Sequence, residues 1–80
     1  MIKIIIVDDH IILRESLKIV IEKDQEIKVV GMAGDGREAL ELCDKLSPDA
    51  VLMDIMMPVC DGVEGTRLIK SKHKDIKVII

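Results

Sequence analysis

Three aspartates carry the chemistry that this chain offers. Asp8 and Asp9 close the apolar run Ile4-Ile5-Ile6-Val7, and Asp54 closes Ala50-Val51-Leu52-Met53. Runs this apolar and β-branched read as strands buried on both faces, the mark of a parallel sheet under helices. The carboxyl ends of parallel strands point one way, so the three carboxylates are expected to meet at one sheet edge. Ligands of open α/β sheets bind at that edge, where the strand order reverses. Carboxylates held close together repel one another, and a cation relieves the repulsion. The chemistry expected is a divalent-metal site built around a reactive aspartate.

The elements that must position these groups alternate along the chain. A strand over residues 3–7 leads into a helical pattern from Ile11 to about Lys23, with Leu13, Leu17, Val20 and Ile21 spaced as one apolar face. A second strand covers 27–32. Asp35-Gly36-Arg37-Glu38 then has the form of a capped helix start, and that helix runs through Leu46. Ser47-Pro48 ends it, residues 50–54 form the third strand, and Asp61-Gly62-Val63-Glu64 opens a third helix to about Lys72. Residues 77–80 form a fourth strand. The order β-α-β-α-β-α-β with short connections predicts a doubly wound α/β layer structure with right-handed crossovers.

Composition removes other classes. A chain of 80 residues holds one small domain, and without Phe, Trp or Tyr its core must be aliphatic. The net charge is −3 with scattered Lys, so there is no basic stripe and no nucleic-acid binding is expected of this segment. The apolar runs are too short for a membrane span. Met1 leads straight into a strand without a basic-then-apolar leader, so a cytoplasmic location is expected. Cys43 and Cys60 fit no metal spacing and suit a reducing compartment. Cys43 shares a helical face with Ala39, Leu40 and Leu46, which is core packing. Cys60 lies in a loop with nothing near it in sequence to activate a thiol.

Ile5-Ile6-Val7-Asp8-Asp9-His10, Gly34-Asp35-Gly36-Arg37-Glu38-Ala39-Leu40, and the stretch from Pro48-Asp49-Ala50 through Met53-Asp54-Ile55-Met56-Met57-Pro58 to Cys60-Asp61-Gly62 stand in the order and spacing of a known family. Together they resemble a bacterial response-regulator receiver domain, most closely the NarL/FixJ branch of transcriptional regulators. The resemblance implies a flavodoxin-like sheet of strand order 2-1-3-4, an order already known for this fold. It implies that Asp54 is the phosphoacceptor of a two-component phosphorelay, taking its phosphoryl group from a phosphohistidine on a sensor histidine kinase or phosphotransfer protein. Asp8, Asp9, Asp54 and the backbone carbonyl of Met56 match the Mg²⁺ ligands, Asp9 directly and Asp8 partly through water. Pro58 and Gly62 would shape the adjoining loop. Such a module is a phosphoacceptor, not an independent enzyme, and at most catalyses its own phosphorylation and dephosphorylation.

The family also carries a Ser or Thr after the fourth strand and a Lys at the end of a fifth, and this sequence stops at Ile80 before both. Lys77, Thr66 and Ser71 are not substitutes for them. Residues 1–80 therefore read as a partial receiver domain without the last two helices and fifth strand. Metal binding is expected to survive in it, efficient phosphotransfer and switching are not, and self-association through the exposed fourth strand is expected. The alternative function is a non-switching fragment that acts only as a binding or self-assembling scaffold.

Other residues have plainer readings. Asp9 could simply cap the first helix. His10 reads as polar loop surface sooner than as a ligand. His73 lies in the Lys-rich stretch 70–74, a solvated helix end. Met53, Met56 and Met57 read as packing, since no Cys or His joins them. Gly65 inside a helix costs about 1 kcal/mol relative to Ala, which close approach of helix to sheet would repay. An aspartyl phosphatase would want a general acid two residues after Asp54, where Met56 stands. A dinucleotide site would want a glycine-rich loop after the first strand, where Asp8-Asp9-His10-Ile11 stands.

Overall fold

Strand β1 (Ile2–Val7) runs between β2 (Ile27–Ala33) and β3 (Ala50–Met53), with β4 (Lys77–Ile79) beyond β3, and all pairings are parallel. The computed structural model describes residues 1–54 and 60–80. Met56, Met57 and Pro58, singled out in the sequence, lie outside the described residues. The order β2-β1-β3-β4 is the one expected. Helices α1 (Ile11–Ile21), α2 (Gly36–Leu46) and α3 (Gly62–Lys72) form the crossovers. The expected boundaries hold to within about two residues, and α1 is the helix that ends early.

Alternation along β1 explains its apolar run Ile4-Ile5-Ile6-Val7. Ile5 and Val7 join Val51, Met53, Ala39, Cys43 and Ile69 in one core. Ile4 and Ile6 point the other way, with Val29, against Leu17 and Ile21 of α1. Burying each such side chain contributes about 2 kcal/mol.

The two Asp-Gly-x-Glu segments are caps, as expected. Asp35 accepts hydrogen bonds from the Arg37 and Glu38 N–H groups at 2.8 and 3.0 Å, and Asp61 accepts from the Glu64 N–H at 2.8 Å. Each satisfies donors that a helix start leaves unpaired, worth about 1 kcal/mol. At the other end of α2, Ser47 adopts φ 45°, the left-handed conformation that closes many helices, directly before Pro48.

Two expectations need correction. Gly65 does allow close approach, but chiefly of another helix. A Cβ built on Gly65 would stand 2.9 Å from the Gly36 Cα, and one on Gly36 would stand 2.7 Å from the Gly65 Cα and from Cys60 Sγ. The sheet meets the Gly65 position through the Met53 side chain of β3, whose Cε would stand 3.2 Å from a Cβ there. The expected apolar face of α1 is also only partly covered. Leu17 and Ile21 pack on the sheet, but Leu13 is 46% and Val20 61% exposed. Among the described residues no element stands beside them to cover that side of the helix. An apolar groove of about 250 Å³ is lined by Leu17, Leu52, Ile79 and Ile80 together with Asp8 and Asp54. No helix of the described residues is long and apolar enough to cross a membrane.

Candidate metal centre

The sheet ladder sets the acidic groups. Beyond the end of β1, the Asp8 N–H donates to the Ala33 carbonyl of β2 at 3.0 Å. Beyond the end of β3, the Asp54 N–H donates to the Val7 carbonyl at 2.9 Å. Both residues are thus held by pairing that continues past their strands, and both arrive at the carboxyl edge. Asp9 follows at once. One ligand atom each from Asp8, Asp9, Asp54 and His10 lie within 4.8 Å of one another.

Environment differs across the cluster. Asp8 is buried, while Asp9 lies at the surface. Asp8 Oδ1 accepts the His10 backbone N–H at 2.8 Å, which bends the chain into α1. The His10 ring then turns back, with Nδ1 3.1 Å from Asp8 Oδ1 and 3.2 Å from Asp9 Oδ1. The bond to Asp8 holds the His10 pKa above the usual imidazole value, and the charges of Asp9, Asp8 and Asp54 add to the effect. The plainer reading of Asp9 as the α1 cap does not describe the structure: the cap position is His10, with no side-chain capping bond.

His10 is the residue that sequence reasoning undervalued. It is exposed, as expected, yet its ring contacts two of the three carboxylates. The signal was its place directly after the acidic pair, at a helix start where the chain folds back. His73 was undervalued too. Its Nε2 stands 2.6 Å from Asp44 Oδ1, and Lys72 Nζ stands 3.2 Å from Asp44 Oδ2, tying the end of α3 to α2. The hydrogen bond from His73, then that from Lys72, holds the Asp44 carboxyl below the ordinary range.

Residues set aside in the sequence stay aside. Thr66 Oγ1 donates to the Gly62 carbonyl and Ser71 Oγ to that of Leu68, both within α3. Lys77 pairs with Ala50, at the opposite end of β3 from Asp54. Both thiols are buried. Burial pushes the Cys43 thiol up to about 11 and raises that of Cys60, so neither is a ready nucleophile.

The donor set suits a hard divalent cation, since three carboxylates converge and one of them is preorganised by burial and a backbone bond. Comparison with known proteins agrees with this frame. Residues 4–80 match the response regulator receiver domain family. The transcriptional regulatory protein LnrK of Bacillus subtilis is 50% identical over 80 residues, covering 100% of this chain and 36% of that protein. The response regulator domain of Thermotoga maritima CheB superposes with a TM-score of 0.90 at 39% identity, covering 98% of this chain and 59% of that one. A CheX–CheY–BeF3–Mg²⁺ complex from Borrelia burgdorferi is similar at TM-score 0.86 and 28% identity, covering 96% of this chain and 58% of that one. The chain thus spans about a third of the length of the curated relatives it matches. Its fold, the acidic edge and these matches lead to one statement: the chain belongs to the response regulator receiver domain family.

Proposed function

We propose that this chain is a phosphoacceptor module of two-component signalling, with Asp54 as the residue that takes the phosphoryl group. The observation that carries the reading is the convergence of Asp8, Asp9 and Asp54 at the carboxyl edge of the sheet. A carboxylate oxygen of Asp54 attacks phosphorus, the phosphorus–nitrogen bond of a kinase phosphohistidine breaks, and the imidazole leaves with that electron pair. An acyl phosphate on Asp54 results. Such transfer depends on alignment and charge neutralisation more than on strong nucleophilicity.

Asp8 and Asp9 would hold Mg²⁺ beside Asp54, with the Met56 carbonyl as a further ligand. A bound Mg²⁺ supplies positive charge at the phosphoryl oxygens. Asp8 contributes a fixed oxygen, held by the His10 N–H and by the ladder bond to Ala33. Asp9, nearer solvent, leaves the site open to a kinase domain. The named partner class is a sensor histidine kinase or phosphotransfer protein, and the parent would be a cytoplasmic protein that regulates transcription, LnrK being a transcriptional regulatory protein by name.

A direct test uses beryllofluoride, a phosphoryl mimic, followed by fluorine NMR. The expected result is a bound signal that requires Mg²⁺ and disappears in Asp54→Ala. A bound signal that persists in that variant, or none at all in a folded sample, would overturn the proposal.

A second reading is favoured by a separate observation. Ile79 at the end of edge strand β4 is 55% exposed, Ile80 directly after it is 64% exposed, and both line the apolar groove. Exposed apolar edges template pairing with another chain, so self-association through β4 would make the module a scaffold as well. Sedimentation over a concentration series tests it: a single monomeric species throughout would end that reading.

A further inference from the structure

His10 stands at the metal centre, and no role of the acidic site requires it. Its Nδ1 lies 3.1 Å from Asp8 Oδ1 and 3.2 Å from Asp9 Oδ1. Around an octahedral divalent ion with bonds of about 2.1 Å, neighbouring ligand atoms stand about 3 Å apart. The nitrogen therefore already stands at the spacing of an adjacent ligand from each of the two oxygens. Asp54 completes the group within the same 4.8 Å. The donor set is mixed in kind: three hard oxygens and one imidazole nitrogen. Mg²⁺ gains little from nitrogen, whereas Zn²⁺, Co²⁺ and their neighbours favour it.

We propose that His10 sets the metal preference of this centre, its Nδ1 serving as a fourth protein ligand for transition-metal ions while Mg²⁺ is held by the carboxylates alone. For Mg²⁺ the ring is a competitor, because it occupies the same two oxygens the ion needs. For a transition-metal ion it is an asset, because the nitrogen is already in place. The inference rests on the metal-centre reading above and adds a residue and an ion class to it. The buried thiols of Cys43 and Cys60 do not compete for such ions. His73 is the remaining imidazole, and it is paired with Asp44.

The test is calorimetric titration of the 80-residue chain with Mg²⁺ and, separately, with Co²⁺, in wild type, His10→Ala and His10→Asn. The His10 side chain is 72% exposed, so neither change disturbs the core, and circular dichroism checks the fold. His10→Ala is expected to raise the Co²⁺ Kd at least about tenfold, while the Mg²⁺ Kd stays level or falls. The Co²⁺-loaded wild type should show a paramagnetically shifted imidazole N–H in proton NMR that both variants lack and His73→Gln keeps. An unchanged Co²⁺ Kd in His10→Ala, or equal changes for both ions, would overturn the inference and leave the Mg²⁺ site standing. Failure of the wild type to bind either ion would overturn the metal-centre reading and this inference with it.

Discussion

The two faces of the sheet carry similar sequence and end differently. Beneath α2 and α3, Ile5, Val51, Ile69, Ala39 and Cys43 are sealed from water, two helix starts meet glycine to glycine, and Asp44 joins α2 to His73 and Lys72 of α3. Beneath α1, Leu17 and Ile21 pack on the sheet, and no residue of that helix is buried. Apolar spacing on a helix therefore shows what can be buried, and coverage by a neighbouring element decides what is. The acidic centre lies at the carboxyl edge that both faces share, and its Asp8 and Asp54 also line the apolar groove.

The sharpest break in this comparison is a truncation on each face. Ile69→Ala should cost about 3 kcal/mol in urea unfolding, because it leaves a cavity in the sealed core. Val20→Ala on α1 should cost less than about 0.5 kcal/mol, since that side chain is already in water. Equal losses would mean that the α1 face is covered in solution.

Next in size is Gly36→Ala. The added methyl meets the Gly65 backbone and Cys60, which cannot yield as a flexible side-chain end does. A loss of about 2 kcal/mol is expected despite the better helix propensity of Ala, and a neutral result would mean that α2 and α3 stand further apart. On the open side, Ile79→Lys should leave unfolding nearly unchanged. It should shift a sedimentation profile toward the smallest species by placing charge on the edge strand.

The smallest expected effect is electrostatic. The folded-state Asp44 carboxyl titrates below its unfolded value, so its contribution is present above the ordinary carboxylate range and fades as pH falls through the depressed value. Asp44→Asn should lower the melting temperature at neutral pH by no more than about 2 °C, because the pair is exposed and screened. Wild type and variant should converge once the pH falls below that depressed value, and a gap that widens on acidification would reverse the assigned sign.

Much of this was legible in the chain itself. Buried strands announce themselves as unbroken Ile and Val, and parallel strands bring Asp8, Asp9 and Asp54 to one edge whatever the loops do. The caps at Asp35 and Asp61 are local, so three or four residues suffice to read them. What was not legible depends on distance in sequence or on absent neighbours. The Gly36–Gly65 contact and the Asp44–His73 pair join α2 to α3 across some 29 residues, which no local pattern encodes. The exposure of Leu13 and Val20 follows from what stands next to α1. The His10 ring could have turned to solvent as readily as to Asp8 and Asp9.

Intact mass after incubation with acetyl phosphate, with and without Mg²⁺ and beside Asp54→Ala, addresses the acidic edge most directly. The expected result is a slow, Mg²⁺-dependent gain of one phosphoryl group in the wild type that the variant lacks. An equal gain in Asp54→Ala, or a gain in the wild type that does not depend on Mg²⁺, would contradict the assignment of Asp54 as the phosphoacceptor.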